Sequence, residues 1–214
     1  MKTGWFLLSI ATALLISATI SSKNYKPIFQ LTEEKWKLLK EGKVIISEQI
    51  YADKEGAKKL RFIASALIKA SPEQVWAVLR GYDLFEEFMP RVKECQVVKW
   101  RKDGCAVVRY DSQVLWVQVH YYILSCPAYP FRKIEFKLAQ GYDNQIKDTY
   151  GFWEIIPAPK NKGSILSYSA YLDSGFPVPE FIAKRLTRSS LIEVLKNVKK
   201  RVESGGKWKK SSKD

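Results

Sequence analysis

Histidine is almost missing: His120 stands alone in 214 residues. Three cysteines, Cys95, Cys105 and Cys126, show no zinc-finger spacing. A histidine-rich metal site is therefore excluded, because such centres gather several imidazole or thiolate ligands. No metal or cofactor is expected. Gly-x-Ser-x-Gly is absent as well, and a serine nucleophile would have to use His120 as its base. Ser164, Ser167 and Ser169 alternate with apolar residues, as strand serines do. "GKVIIS" is no phosphate loop, and Asp111 and Asp148 read as turn and edge residues, so no catalytic residue is assigned. Three cysteines leave at least one thiol unpaired. A hairpin at Lys102-Asp103-Gly104 would set Cys95 opposite about residue 111 rather than opposite Cys105. The cysteines are read as small buried hydrophobes, with a disulfide left open for an oxidising compartment.

Acidic residues are in the minority, 22 against 36 Lys and Arg, for a net charge of +14. A surplus that large favours anionic partners and says nothing of fold. Nucleic acid is disfavoured, because no RNA-binding signature occurs and the N-terminus reads as an export signal. Residues 1–21 have Lys2 as their only charge, then an uncharged run from Trp5 to Ile20. That run is short for a spanning helix of about 20 residues and suits a signal-peptide core. Thr19-Ile20-Ser21 supplies small residues at a cleavage spacing, and an uncleaved anchor is the alternative. No cysteine precedes Cys95, which excludes lipid attachment at a processed N-terminal cysteine. A periplasmic or extracellular protein is expected, with anionic lipid headgroups as the fitting surface.

Downstream, Thr32 caps a short helix that Gly42 stops, and "KVIISEQIYA" and "KKLRFIASALIKA" read as strands. Ser71-Pro72-Glu73-Gln74 is a capping box with proline at the first helical position. Its helix ends at Gly81, and a second short apolar piece carries Leu84, Phe85, Phe88 and Met89 up to Pro90. Beyond it the period changes to two. Strands are expected at Val92–Trp100, Cys105–Asp111, Leu115–Leu124, Phe131–Leu138, Lys147–Ile156 and Ile165–Leu172. "VVRYDSQVLWVQVHYYIL" has no Gly or Pro to mark its turn, which is placed near Asp111-Ser112-Gln113. In "RKIEFKLA", Ile134, Phe136 and Leu138 oppose Lys133, Glu135 and Lys137, the pattern of a sheet with one wet face. Leu191, Leu195, Val198 and Val202 form one stripe of a long closing helix, widened by Ile182, Leu186 and Val194. A long helix on a curved antiparallel sheet is an α+β arrangement in two layers.

Strand, two short helices, six strands and a long helix: in this order the chain resembles the START-like, or SRPBCC, superfamily. That superfamily includes polyketide cyclases, coenzyme-Q-binding proteins and lipid-transfer domains. "ALIKASPEQVWAVLRGYDLFEEFMPRVKECQVV", "DTYGFWEIIP" and "FPVPEFIAKRLTRSSLIEVLKNVKKRV" carry the resemblance, over about residues 60–203. It implies a helix-grip fold, in which a curved antiparallel sheet wraps the long C-terminal helix and leaves a cavity. The two short helices would plug or gate one end. The chain divides accordingly into the signal at 1–21, an N-terminal helix and strand at 22–59, the START-like domain at 60–204 and a basic disordered tail at 205–214. The resemblance is specific for fold and weak for activity.

Within that frame, Phe85, Phe88 and Met89 are gate residues or ordinary core. Strand parity turns Val108, Tyr110, Val119, Tyr121, Phe136, Trp153 and Tyr168 inward, facing Leu191 and Leu195. Apolar walls with a few hydroxyls suit a small hydrophobic molecule. A fully packed core is the alternative. His120 shares parity with Trp116, Gln118 and Tyr122 and is placed outside. Lys207, Lys209 and Lys210 around Trp208 form a candidate membrane contact, or a solvated tail. The expected function is binding or transport of a lipid or isoprenoid quinone. An aromatase/cyclase-type enzyme and a scaffold of a membrane complex are the alternatives. Oligomeric state is not legible.

Overall fold

Capping signals set the helices, and the computed structural model has them as expected. It describes residues 25–211 except 53–55, 57, 115, 130 and 178. The expected signal at 1–21 and residues 212–214 of the tail lie outside the described residues. Thr32 accepts from the Lys35 N–H at the start of α1 (Glu33–Lys40). Ser71 and Gln74 exchange side-chain-to-backbone hydrogen bonds, and Pro72 opens α2 (Pro72–Arg80). This satisfies two donors that a helix N-terminus would otherwise leave orphaned. A 3-10 turn at Tyr82–Leu84 leads directly into α3 (Phe85–Phe88).

Among the described residues, eight strands form one antiparallel sheet in the order β1-β2-β8-β7-β6-β5-β4-β3. They are β1 (Ile45–Ala52), β2 (Lys58–Ile68), β3 (Val92–Trp100), β4 (Ala106–Val114), β5 (Val117–Tyr129), β6 (Lys133–Leu138), β7 (Asp148–Pro157) and β8 (Ser164–Asp173). The long helix α4 spans Glu180–Glu203. Strand parity puts one set of side chains on the face toward α2, α3 and the second half of α4. There Ala64, Val108, Ile134, Trp153, Ile155 and Leu166 meet Leu191, Leu195, Val198 and Val202 in a single core. This is the helix-grip arrangement.

Three expectations change. The first is the turn in the strand pair without Gly or Pro. β4 and β5 pair as far as Val114↔Val117, so Asp111, Ser112 and Gln113 are strand residues opposite His120, Val119 and Gln118. Asp111 is not a turn residue; it holds Arg109 on its own strand at 2.9 Å. Moving the turn also moves the cysteines. Ala106 faces Ser125, which sets Cys105 against Cys126 in a disulfide with Cα atoms 4.2 Å apart. Only Cys95 is a buried free thiol. The bulged register that puts Cys95 beside Tyr110 agrees with the hairpin argument that kept it from Cys105.

The second change concerns the wet face. Phe29, Leu39 of α1, Leu67, Ala158 and Ile165 form a second apolar cluster on the outer side of the sheet. The N-terminal extension thus covers the outer face over β2 and β8, while β1 extends the sheet edge beside β2. Its anchor is Glu154 on β7, which is fully buried and accepts from the Tyr25 hydroxyl and from the Ile28 (2.7 Å) and Phe29 (2.9 Å) amides. Burial and this carboxylate push the Tyr25 phenol well up.

The third change lies in α4. Leu191, Val194, Leu195, Val198 and Val202 are buried, but Ile182 and Leu186 are 37% and 38% exposed and Phe181 is 74% exposed. The apolar stripe continues into the first half of the helix, and the sheet beneath it does not.

Candidate ligand-binding site

The sheet fails to follow the helix because it splits. The β2–β8 ladder runs only from Ala64↔Tyr168 to Ile68↔Ser164. Both strands continue beyond it, β2 back to Lys58 and β8 on to Asp173, each still paired on its other side. Residues 58–63 and 169–173 therefore diverge as the two arms of a fork. Backbone groups along the facing arms have no strand partner across the gap, a feature that calls for water or a ligand.

A hollow of about 670 Å³ opens at this fork and reaches both faces of the sheet. Leu60, Phe62, Phe136, Ala170 and Leu172 line its inner side, under Ala183 and Thr187 of α4. Tyr51, Arg61, Lys133, Tyr150 and Phe152 line its outer side. Gly151 keeps the wall thin: a Cβ there would collide with the Phe136 ring and the Ser169 carbonyl. No larger residue fits that close approach.

The residues expected to line a cavity do converge on the inner face, but most of them are close-packed. Phe85 and Phe88 are 2% and 1% exposed, in edge contact at 5.3 Å, with Met89 buried beside them. Their surroundings are those of core side chains. Val108, Leu191 and Leu195 belong to the same cluster. Tyr110 and Tyr121 stack at 5.5 Å, and Trp153 stacks on Tyr168 at 3.9 Å. Val119 sits apart, with Leu138 and Ile146. Of the twelve, Phe136 alone lines the fork hollow, and through its 6.2 Å contact with Tyr168 the hollow abuts the inner aromatics.

Polar groups in that interior are few. Burial pushes the Tyr110 and Tyr168 phenols well up and Tyr121 up to about 12, against the nearby Ser112 hydroxyl, which pulls the other way. All three are neutral at ordinary pH and have a hydroxyl donor, not a base, to offer a ligand. Burial likewise raises the Cys95 thiol, with Tyr110 beside it. Ser112 Oγ is buried near Tyr121 without a hydrogen bond of ordinary geometry. His120 lies on the outer parity, its Nε2 3.1 Å from Asp143 Oδ2.

Fold, phenols and hollow together describe a known architecture. Residues 68–199 match the family described as polyketide cyclase / dehydrase and lipid transport. The chain belongs to that family. No curated protein matches it. Among solved structures, it resembles a START superfamily protein from Mycobacterium smegmatis with a TM-score of 0.59 at 17% identity. That alignment covers 66% of this chain and 96% of that one. A STAR-related lipid transfer protein from Xanthomonas axonopodis (fragment 25–204) aligns at 0.56 and 18% identity, over 72% of this chain and 98% of that one. Human StAR-related lipid transfer protein 5 aligns at 0.58 and 14% identity, over 92% and 96%. Identities this low establish the START-like helix-grip fold and no more.

The tail departs from expectation. Residues 204–211 fold back onto α3 rather than running free. The Trp208 amide donates to Ser204 Oγ (2.7 Å), and its ring packs against the core below Lys200. Lys209 pairs with Glu87 at 2.8 Å, and Lys210 Nζ donates to the Met89 and Val92 carbonyls at 2.8 and 2.6 Å. Lys207 stays exposed. The tail packs at the C-terminal end of α4, whereas the fork hollow lies under Ala183 and Thr187, about 24–30 Å of helix away at 1.5 Å per residue.

Sequence reasoning missed Leu60, Arg61, Phe62, Ala183 and Thr187. Their one signal is the run of apolar residues in α4 that precedes the buried stripe.

Proposed function

We propose that this member of the family binds or carries one hydrophobic small molecule, an acyl lipid or an isoprenoid quinone, in the hollow beneath the first half of α4. The observation that carries the reading is the fork: an apolar-walled opening under a helix segment that leaves Phe181, Ile182 and Leu186 exposed. Burying about 300 Å² of apolar ligand surface supplies roughly 7 kcal/mol before the cost of association is subtracted. An exported protein would use such an opening to pick up its ligand at a membrane surface. Ala183 faces the hollow from a helix segment that contributes little to the core, so Ala183→Trp fills the space and leaves the fold standing. Native mass spectrometry of protein prepared from its own host should find one apolar molecule bound to the wild type and none to A183W. An empty wild type that also takes up no lipid from vesicles overturns the proposal. A cyclase reading draws on the family's description and on the neutral phenols at Tyr168 and Tyr121. It requires that Tyr168→Phe abolish turnover of a bound polyketone while leaving its binding intact.

A further inference from the structure

The outer end of the hollow has different chemistry from the inner end. Arg61 points away from the core on β2 and lines the same hollow as Phe152 and Ser169, which face each other across β7 and β8. Its guanidinium lies between two rings, 4.8 Å from Tyr51 and 5.3 Å from Phe152. Gln49 Oε1 accepts from Arg61 Nε at 2.8 Å and from an Nη at 2.6 Å, which sets the plane of the group. Among the described residues no carboxylate pairs with it. Glu154 is near but is already committed to Tyr25, Ile28 and Phe29. Lys133 Nζ also stands over the Phe152 ring, at 5.4 Å, and is tied to Glu135 at 2.6 Å. Tyr51 and Tyr150 share a 2.6 Å hydroxyl contact on the same wall.

A half-buried guanidinium whose hydrogen-bond partner, among the described residues, is a neutral amide is costly, and its burial pulls its own proton affinity down from the usual value. Oriented by Gln49 and two rings, it still has donors to spare, in a geometry that fits a carboxylate or phosphate side-on. The same hollow continues through the fork to Phe62, Phe136, Leu172 and Ala183.

We propose that the ligand is an anionic amphiphile: its acidic head sits against Arg61 on the outer face, and its apolar chain passes through the fork between β2 and β8 to lie under α4. This rests on the carrier reading above and narrows it to ligands with an acidic head. Hexadecanoate and hexadecanol share a chain and differ at the head, so titrating both into the full chain isolates the contribution of Arg61. Wild type should bind hexadecanoate at least about ten-fold more tightly than hexadecanol, the effect expected of one charge-assisted hydrogen-bonded contact. Arg61→Gln should remove that preference, and Arg61→Lys should restore part of it. Acetate at the same concentrations should not compete, because the chain supplies most of the affinity. Equal binding of the two long-chain ligands by wild type overturns the acidic-head inference and leaves the hollow standing. Failure of both to bind sinks the carrier reading itself. Competition by acetate as strong as by hexadecanoate would mark a free-anion site and also overturn the proposal.

Discussion

Two leucines on one helix separate a forked sheet from a continuous one. Leu195 is fully buried between α4 and the sheet, and Leu186, in the half of the helix that passes the fork, is 38% exposed. Truncating Leu195 to Ala removes its core contacts and leaves a cavity that close-packed neighbours cannot fill. Changes of this kind cost about 3–5 kcal/mol. For a chain of this size each kcal/mol lowers Tm by about 2–4 °C, so Leu195→Ala should drop it by roughly 6–20 °C. Leu186→Ala removes side-chain atoms that already meet solvent, and alanine is the better helix former. Its cost should stay below about 1 kcal/mol, or a few degrees. The first half of α4 also lacks a side-chain cap, with Pro179 at the N-cap position. Amides of residues 183–189 should accordingly exchange with solvent much faster than those of 192–200. Calorimetry or urea unfolding of both variants, with hydrogen exchange on the wild type, measures all of this. Equal losses from the two truncations, with uniform protection along α4, would mean the first half is packed on a closed sheet and the fork is wrong.

Glu154→Ala strips the acceptor from three donors in the N-terminal segment and should destabilise by on the order of 3 kcal/mol, with the Ile28 and Phe29 amides losing their protection first. If those amides keep their protection in the variant, the anchor is misassigned. Gly151→Ala should push Phe136 and the Ser169 carbonyl aside and weaken apolar ligand binding several-fold, measured by titration beside a urea curve. Unchanged affinity and stability would contradict the close approach. Cys105→Ser/Cys126→Ser opens a crosslink spanning 21 residues and should cost roughly 3 kcal/mol by loop entropy; an unchanged unfolding midpoint under oxidising conditions would argue against the bond. Burial raises the Tyr121 phenol from its ordinary 10.0 up to about 12. The unfolded chain then ionises first, so its contribution to stability is complete below pH about 10 and lost as pH climbs toward about 12. Tyr121→Phe should flatten that part of the stability curve, and an identical curve for both proteins would contradict the buried phenol.

Periodicity and capping chemistry are local, and they are what the amino-acid order determined. Ser71-Pro72-Glu73-Gln74, the alternation at Lys133–Leu138 and the Leu191–Val202 stripe each need only a few neighbouring residues to declare a helix or a face. The order of those elements then carried the resemblance to START-like proteins that implied a helix-grip fold. Inward parity was right for Tyr110, Phe136, Trp153 and Tyr168 because a strand has only two faces. What proximity in sequence could not decide is which strands stay paired along their whole length. A turn without Gly or Pro has no local marker, so misplacing it by a few residues hid the register that joins Cys105 to Cys126. Nothing in "KKLRF" or "SAYLD" announces that these segments part from one another, since each remains paired on its other side. The fork, the exposed half of α4 and the setting of Arg61 beside it arise from long-range pairing and twist, settled only when the whole sheet forms. The basic tail follows the same logic. Its charge was plain, but Glu87 and the carbonyls of Met89 and Val92, far off in sequence, came within reach of Lys209 and Lys210 only through the packing of α3 against the end of α4.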